Sequence, residues 1–386
     1  MPGNTVDEGV AAPNDEQVNK PNPLVTVPLL VILALSGCSQ EPASPPSAEP
    51  TESDTTSGPV TPVGDPSVVV TDLESPWSVV RLESGSALIS ERNTGTVKEL
   101  SDDGEVRVVG TVPDVVHEGE SGLLGLAVLD EEWLYAYLTT ATDNRIVRFE
   151  LIGGAGDYSL GAKEDVLTGL VKERFHDGGR IAFGPDGMLY ATVGDASNLA
   201  LSQDVTSYNG KILRMTETGG VPDDNPFENS LVYSLGHRNP QGIAWDDSGQ
   251  LYAAEFGQDT WDEFNRIEAG GNYGWPIIEG IGDDPDYIDP LYQWNTAEAS
   301  PSGLTYIRGT FFMAGLGGHR VWAIYPDGAS EPTEWYKTTK YGRVRDVLPG
   351  PDGSLWFLTN NTDGRGEPSE GDDKIWQVEL DVLSEG

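Results

Sequence analysis

The sequence predicts an all-β domain over residues 67–386, a six-bladed β-propeller of four-stranded antiparallel blades. Two observations carry this. First, a short unit recurs six times: a turn, usually with Gly, then an apolar strand containing an aromatic or aliphatic pair. The clear copies are Glu83-Ser-Gly-Ser-Ala-Leu-Ile-Ser, Pro185-Asp-Gly-Met-Leu-Tyr-Ala-Thr, Asp247-Ser-Gly-Gln-Leu-Tyr-Ala-Ala and Pro351-Asp-Gly-Ser-Leu-Trp-Phe-Leu. Weaker ones are Asp130-Glu-Glu-Trp-Leu-Tyr-Ala-Tyr and Arg308-Gly-Thr-Phe-Phe-Met-Ala-Gly. Their spacing of about 43 to 62 residues suits blades of four strands. Second, 47 Gly and 27 Pro with no helical period suit a chain full of turns. Periodicity alone leaves seven blades or an irregular β-solenoid open.

Taken in order, residues 1–23 are polar, and an apolar run then extends from Leu24 to Leu35. It is too short for an ordinary transmembrane helix and matches the apolar part of a secretory signal. Leu35-Ser-Gly-Cys38 resembles the lipobox of bacterial lipoproteins, which implies that Cys38 is lipidated after removal of a leader spanning residues 1–38. Only Lys20 supplies positive charge upstream. Residues 39–66, rich in Pro, Ser, Thr and Glu, offer almost nothing to bury and are expected to form a disordered tether spanning on the order of 30 Å. The expected location is therefore the cell membrane, lipid-anchored on its extracytoplasmic face. From Ser67 short β-type runs begin. Val68–Thr71 and Lys374–Leu380 read as strands at either end, able to share one blade and close the ring.

The chain is long enough for one large β domain or two ordinary ones. Its formal net charge is −40, from 63 acidic and 23 basic side chains. Such a field repels nucleic acid and anionic lipid headgroups, so neither is expected as a partner. A single Cys excludes an intrachain disulfide.

Of four His, His176 stands out. In Phe175-His-Asp-Gly-Gly-Arg-Ile-Ala-Phe-Gly-Pro-Asp-Gly-Met-Leu-Tyr-Ala-Thr-Val-Gly-Asp195 it precedes one strand, and Asp195 follows the next. The two can meet at the same end of a hairpin, where an imidazole serves proton transfer and a carboxylate fixes its tautomer. Downstream, Arg238 and Asn239 offer donors for an oxyanion or carboxylate. Asp262, Glu263 and the carbonyls of a Gly-rich loop are the hard oxygen ligands that Ca²⁺ takes.

Together with Pro76-Trp77, Glu91-Arg92, Gly122-Leu-Leu-Gly125, His176-x-x-Gly-Arg180, Gly210-Lys-Ile-Leu-Arg214, Gly236-His-Arg-Asn-Pro-Gln-Gly242, Asp262-Glu-x-Asn265, Asn272-Tyr-Gly-Trp-Pro276, Pro301-Ser-Gly303 and Arg343-x-Arg-Asp346, these residues give a resemblance over about residues 70–380. The chain resembles the soluble quinoprotein glucose dehydrogenases and related aldose sugar dehydrogenases, six-bladed propellers that use pyrroloquinoline quinone and Ca²⁺. The resemblance implies oxidation of a small-molecule sugar to a lactone, with electrons passed on to an external acceptor. It makes His176 the general base oriented by Asp195, and Arg238 the stabiliser of the reducing quinone with Asn239 beside it. It assigns the cofactor's carboxylates to Arg343 and Arg345 and the sugar's flank to Trp294. It gives the catalytic Ca²⁺ to the carbonyls of Gly257 and Gln258, and a structural Ca²⁺ to Glu263 with the carbonyl of Tyr273. Two positions depart from the family pattern. Gly317 stands where a cofactor-binding Lys is found, with Arg320 as a substitute charge, and Glu120 replaces a Gln. Two other functions suit the same frame: a Ca²⁺-dependent lactonase, and a non-catalytic binding propeller that has lost the cofactor.

Overall fold

A computed structural model describes residues 58–383 apart from 329 and 339. The expected leader, the expected lipidation site Cys38 and the expected tether up to residue 57 lie outside the described residues. Strand β1 (Val60–Val70) comes first, and five complete blades follow. They are β2 (Pro76–Arg81), β3 (Ala87–Glu91), β4 (Thr96–Leu100) and β5 (Val106–Thr111); β6 (Leu123–Leu129), β7 (Trp133–Thr139), β8 (Asn144–Ile152) and β9 (Ser159–Leu170); β10 (Ile181–Phe183), β11 (Leu189–Val193), β12 (Lys211–Met215) and β13 (Val232–Leu235); β14 (Asn239–Trp245), β15 (Leu251–Phe256), β16 (Trp261–Arg266) and β17 (Tyr292–Asn295); and β18 (Pro301–Ile307), β19 (Thr310–Gly315), β20 (Arg320–Ile324) and β21 (Thr333–Trp335). The sixth blade, ordered β1-β24-β23-β22, joins β22 (Val344–Pro349), β23 (Leu355–Thr359) and β24 (Ile375–Val382) to the first strand of the chain. This is the expected ring closure, with Val68 opposite Trp376.

The fold follows from where each unit can bury its faces. All six recurrent sequence units are the turns between the first and second strand of a blade. The second strands β3, β11 and β23 are buried along their whole length, which is why they read as continuous apolar runs without alternation. Six apolar clusters fill the spaces between neighbouring blades, one for each pair. Outer strands such as β9 face solvent and alternate irregularly.

The expected domain boundary at residue 67 is corrected. β1 starts at Val60, which is fully buried, and Thr310 Oγ1 accepts the Val60 N–H at 2.8 Å. Pro62, Gly64 and Pro66 read as linker, yet β1 is the outer strand of its blade and its pairing shifts between Val63 and Ser67. An edge strand with a bulge tolerates Pro because one side of its backbone donates to no neighbour.

The central channel is crossed by side chains from opposite blades. Arg180 of the third blade pairs through Nη1 with Asp346 Oδ2 of the sixth at 3.0 Å, and also donates to Ser78 Oγ of the first at 3.2 Å. Its Nε donates to the Gln241 carbonyl of the fourth blade at 2.9 Å. Four blades thus meet at one level on the axis.

Candidate active site

Residues that enter first strands or leave second strands converge on the rim opposite the recurrent turns. His176 lies there with φ of 63°, a left-handed conformation that costs a non-Gly residue on the order of 1–3 kcal/mol. Its neighbours hold it. The His176 N–H donates to Glu120 Oε2 at 3.0 Å, and its carbonyl accepts the Ala196 N–H at 3.2 Å. A Cβ at Gly194 would come within 2.0 Å of that carbonyl oxygen, so only Gly lets the two loops approach this closely. The expected pair forms: His176 Nδ1 lies 2.7 Å from Asp195 Oδ1. Asp195 is fully buried and also accepts the Ser197 N–H at 2.7 Å and the Trp275 indole N–H at 2.9 Å. With Nδ1 engaged as donor, Nε2 is the ring nitrogen that can accept a proton.

Two of the other described imidazoles have different tasks. His237 is buried between Ser234 Oγ and Glu255 Oε2 and stacks on Tyr273. His117 contacts the Ser121 carbonyl.

Beside the base lies a pocket whose walls include Arg92, Arg343, Arg345 and Arg365, with Glu120 and Asp363 as its acids. Asp363 Oδ2 is 3.1 Å from Arg343 Nη2 and 3.8 Å from Arg345 Nη2. Burial opposes its ionisation, but the two guanidinium groups outweigh that and hold it below its ordinary value. Burial pulls Arg345 well below the usual guanidinium range; Asp363 counters this, and Arg92 and Arg343 add to it. Burial also lowers Arg238, against Asp195 and Glu255. The Nε donors of Arg238, Arg343 and Arg345 are all buried without a protein partner among the described residues. Under-satisfied buried cations and a surplus of guanidinium over carboxylate fit a planar anion with several carboxylates, as pyrroloquinoline quinone is.

The residues expected to hold cations sit on the fourth blade. Glu279 Oε1 accepts the N–H groups of Gln258, Asp259 and Thr260 at 2.6–3.1 Å, and although burial opposes it, these bonds hold Glu279 below its ordinary value. Asp262 Oδ1 takes the Gly257 N–H at 2.9 Å, and Oδ2 the Ser300 N–H at 2.6 Å. With these amides committed to carboxylates, carbonyl oxygens are what the Gly257–Gln258 loop can offer a cation. Asp262 is thus a clamp on that loop rather than a ligand side chain. Glu263 lies opposite Glu255 in the β15–β16 ladder, and burial plus that neighbour raise it well above its ordinary value. Glu255 is paired with His237, whereas Glu263 accepts only from neutral donors, Asn265 Nδ2 and the Gly280 N–H, so a hard cation such as Ca²⁺ beside Glu263 fits the like-charge pair. The Tyr273 phenol is engaged elsewhere, with the Arg266 carbonyl and the Glu268 N–H. No group of three or more His, Cys, Asp or Glu among the described residues is arranged around a metal, so backbone oxygens would have to complete either site.

Several expected site residues lie elsewhere. Asn239, expected beside the cofactor, is buried with Oδ1 accepting the Gly178 N–H at 3.0 Å, so it supports the loop of the base. Trp294 does not line the pocket: its ring is packed against Trp322 and Tyr292 within the core between the fourth and fifth blades. Arg320 does not replace the charge missing at Gly317, because it pairs with Glu334 and the Gly318 carbonyl. A Cβ at Gly317 would meet Ser300 Oγ at 2.4 Å, so a side chain there would require that hydroxyl to turn away. Asp363, Arg365 and Glu279 are additional site residues. The polar, Gly-rich run from Asn360 was the only sequence signal for the first two, and nothing marked Glu279.

The sequence matches the glucose/sorbosone dehydrogenase family over residues 73–367. The chain belongs to that family. Among solved structures, the family member resembles the PQQ-bound form of an aldose sugar dehydrogenase from Streptomyces coelicolor, with 46% identity, a TM-score of 0.79, and coverage of 84% of this chain and 99% of that one. It is 32% identical to quinoprotein glucose dehydrogenase B of Acinetobacter calcoaceticus over 59% of its own length, spanning 55% of that relative. It is 28% identical to the aldose sugar dehydrogenase YliI of Escherichia coli over 76% of its own length and 89% of that protein.

Behind the base, Asp177 is 2% exposed, with Oδ1 accepting from Asn144 Nδ2 at 2.7 Å and Oδ2 unpartnered. Burial raises it to about 7; Asn144 opposes this and Glu120 adds to it. An acid whose folded pKa is raised costs no stability below its unfolded value. Its penalty then grows as pH climbs through the interval up to about 7 and stays constant above. Asp177→Asn is therefore expected to flatten the fall in thermal midpoint between about pH 4 and 7. Parallel pH profiles for the two proteins would refute this.

Proposed function

We propose that the chain oxidises aldose sugars at the anomeric carbon to lactones, using bound pyrroloquinoline quinone with Ca²⁺, and passes the electrons to an external acceptor. The observation that carries this is the juxtaposition of an oriented imidazole, His176 on Asp195, with a pocket of incompletely paired guanidinium groups. Arg343 and Arg345 would hold the cofactor, the loop at Gly257 and Gln258 the nearer Ca²⁺, and Glu263 with the Tyr273 carbonyl a second one. When bound, the quinone supplies a two-electron acceptor and the metal a Lewis acid. The chain itself provides the rest. His176 Nε2 takes the proton of the anomeric hydroxyl, and the imidazolium so formed is stabilised by Asp195. The buried guanidinium of Arg238, with its unpartnered Nε, would stabilise negative charge on the bound cofactor. The test is to add quinone and Ca²⁺ to the purified chain and look for a bound-cofactor spectrum that an aldose bleaches. No uptake of quinone would sink this reading and favour the binding propeller. The lactonase alternative loses ground on the axis, where Arg180 stands against Asp346 instead of a cage of oxygen donors.

The metal assignment has its own test. Chelation should lower the thermal midpoint, and Glu263→Gln should blunt that response. A metal bound only to the folded chain adds about 2.7 kcal/mol at a hundredfold excess over Kd. A melting curve indifferent to chelator and Ca²⁺ alike would count against it.

For location, the lipobox-like Leu35-Ser-Gly-Cys38 supports a lipid-anchored protein on the extracytoplasmic face of the cell membrane. Cys38→Ser should shift the protein from the membrane fraction to the soluble one, or leave an unprocessed precursor. Unaltered fractionation and processing would remove this proposal.

A further inference from the structure

The second and third strands of a blade are joined by four residues in four of the blades: 92–95, 140–143, 257–260 and 316–319. In the third blade the same connection is seventeen residues, 194–210, and carries Asp195; in the sixth it runs from Asn360 to Lys374, fifteen residues, also on the rim that carries the pocket. A connection of that length among tight ones calls for a reason. Its two ends are firmly fixed. Asp373 accepts from Thr359, Asn361 and Thr362, and exchanges backbone bonds with Leu73. Asp363, next along, is buried against Arg343 and Arg345. The tip is different. Gly364-Arg365-Gly366 carries one long side chain between two glycines, and Gly364 to Glu370 is exposed apart from the half-buried Gly366.

That side chain reaches across the pocket. Arg365 Nη1 lies 3.1 Å from Glu120 Oε1, 245 residues away in the chain, and its guanidinium sits 5.5 Å from the centre of the Phe175 ring. The second oxygen of Glu120 accepts the N–H of His176. One carboxylate therefore ties the tip of the long loop to the loop of the base, and both Glu120 and Arg365 line the guanidinium pocket between them. The pair is half open to water, with side-chain exposures of 20% and 47%, so it can break and re-form. Buried pairs such as Arg343–Asp363 have no such freedom.

We propose that the 360–374 loop is a strap over the cofactor pocket, latched by Arg365 on Glu120, that slows escape of the bound quinone. Glu120 is a positioning residue in it: through its two oxygens, closing the strap and fixing the His176 backbone are one event. This rests on the quinone reading above, in which the pocket holds that cofactor. At a family position occupied by Gln, a neutral amide would keep an acceptor for the His176 N–H and lose the ion pair. The latch thus needs the carboxylate of Glu120 and the guanidinium of Arg365 together.

The test separates the two roles. The full chain is loaded with pyrroloquinoline quinone and Ca²⁺, and release of the cofactor is followed by its absorbance after dilution. Glu120→Gln and Arg365→Gln should each release quinone about threefold to fivefold faster, the range of an exposed ion pair. The charge swap Glu120→Arg with Arg365→Glu should restore slow release. It should not restore the parent's pH profile of sugar oxidation, because an Arg at 120 cannot accept the His176 N–H. Single variants that release at the parent rate, or a swap without rescue, overturn the latch. Hydrogen exchange of residues 361–371 in the cofactor-free chain gives a second readout. Arg365→Gln should speed it and leave Gly257–Trp261 unaffected. If the parent takes up no quinone, the functional reading has failed while the exchange measurement still decides the latch: equal exchange in parent and variant overturns it.

Discussion

Replacing His176 by Asn is expected to lower sugar oxidation by about 10²–10⁴-fold, or roughly 3–5 kcal/mol of barrier, while the chain stays folded and keeps its cofactor. The fold should tolerate the change because the backbone of this residue, rather than its ring, makes the ties to Glu120 and Ala196. Asp195→Asn should fall between, since it disturbs the tautomer and orientation of the ring; its single amide oxygen can still accept from the Ser197 N–H or the Trp275 indole, which use different carboxylate oxygens, but not from both. Arg343→Ala should act on binding first, with excess quinone partly restoring the rate, because this guanidinium has an unpaired buried donor to offer. Steady-state kinetics at several quinone concentrations distinguishes the base from the clamp. A His176→Asn enzyme that turns over as fast as the parent would disprove the assigned mechanism.

The residues that declared the fold and those that declared the site did so for different reasons. The recurrent turns were legible because every blade must reverse direction between its first and second strands, and Gly at Gly187, Gly249 and Gly353 adopts the positive φ that such turns use. The pair His176–Asp195 was legible because hairpin geometry brings the entry of one strand beside the exit of the next. The role of Glu120 was not. Its two partners, at His176 and Arg365, come from the third and sixth blades, and no local pattern reveals contacts across a ring. Trp294 misled for a related reason. An aromatic residue on a fourth strand can face either the site or the next blade, and here packing against Trp322 decides it. The start of β1 was hidden because Pro and Gly are compatible with an edge strand as well as with a linker.

The largest effect on stability is expected at the axis. Asp346 is 3% exposed, accepts from Arg180 and from the Val79 N–H at 3.0 Å, and Gly303 approaches so closely that a Cβ there would lie 2.0 Å from Asp346 Oδ1. Burial raises this carboxyl above its ordinary value, and Arg180 is the main group opposing that. Removing one partner leaves the other charge buried, so Asp346→Ala should destabilise the chain by about 3–5 kcal/mol. Removing both with apolar groups of similar size, Arg180→Met with Asp346→Leu, should cost less than Asp346→Ala alone, because no uncompensated charge remains. Arg180 also holds the Gln241 carbonyl, and Gln241 Oε1 accepts from Arg345 Nη1 at 2.9 Å. The double variant should therefore weaken quinone binding even where it is the more stable protein. Thermal midpoints together with quinone titration test both parts. If Asp346→Ala melts with the parent, the ion pair does not brace the opposed blades. If the double variant binds quinone as tightly as the parent, Arg345 is positioned without help from the axis.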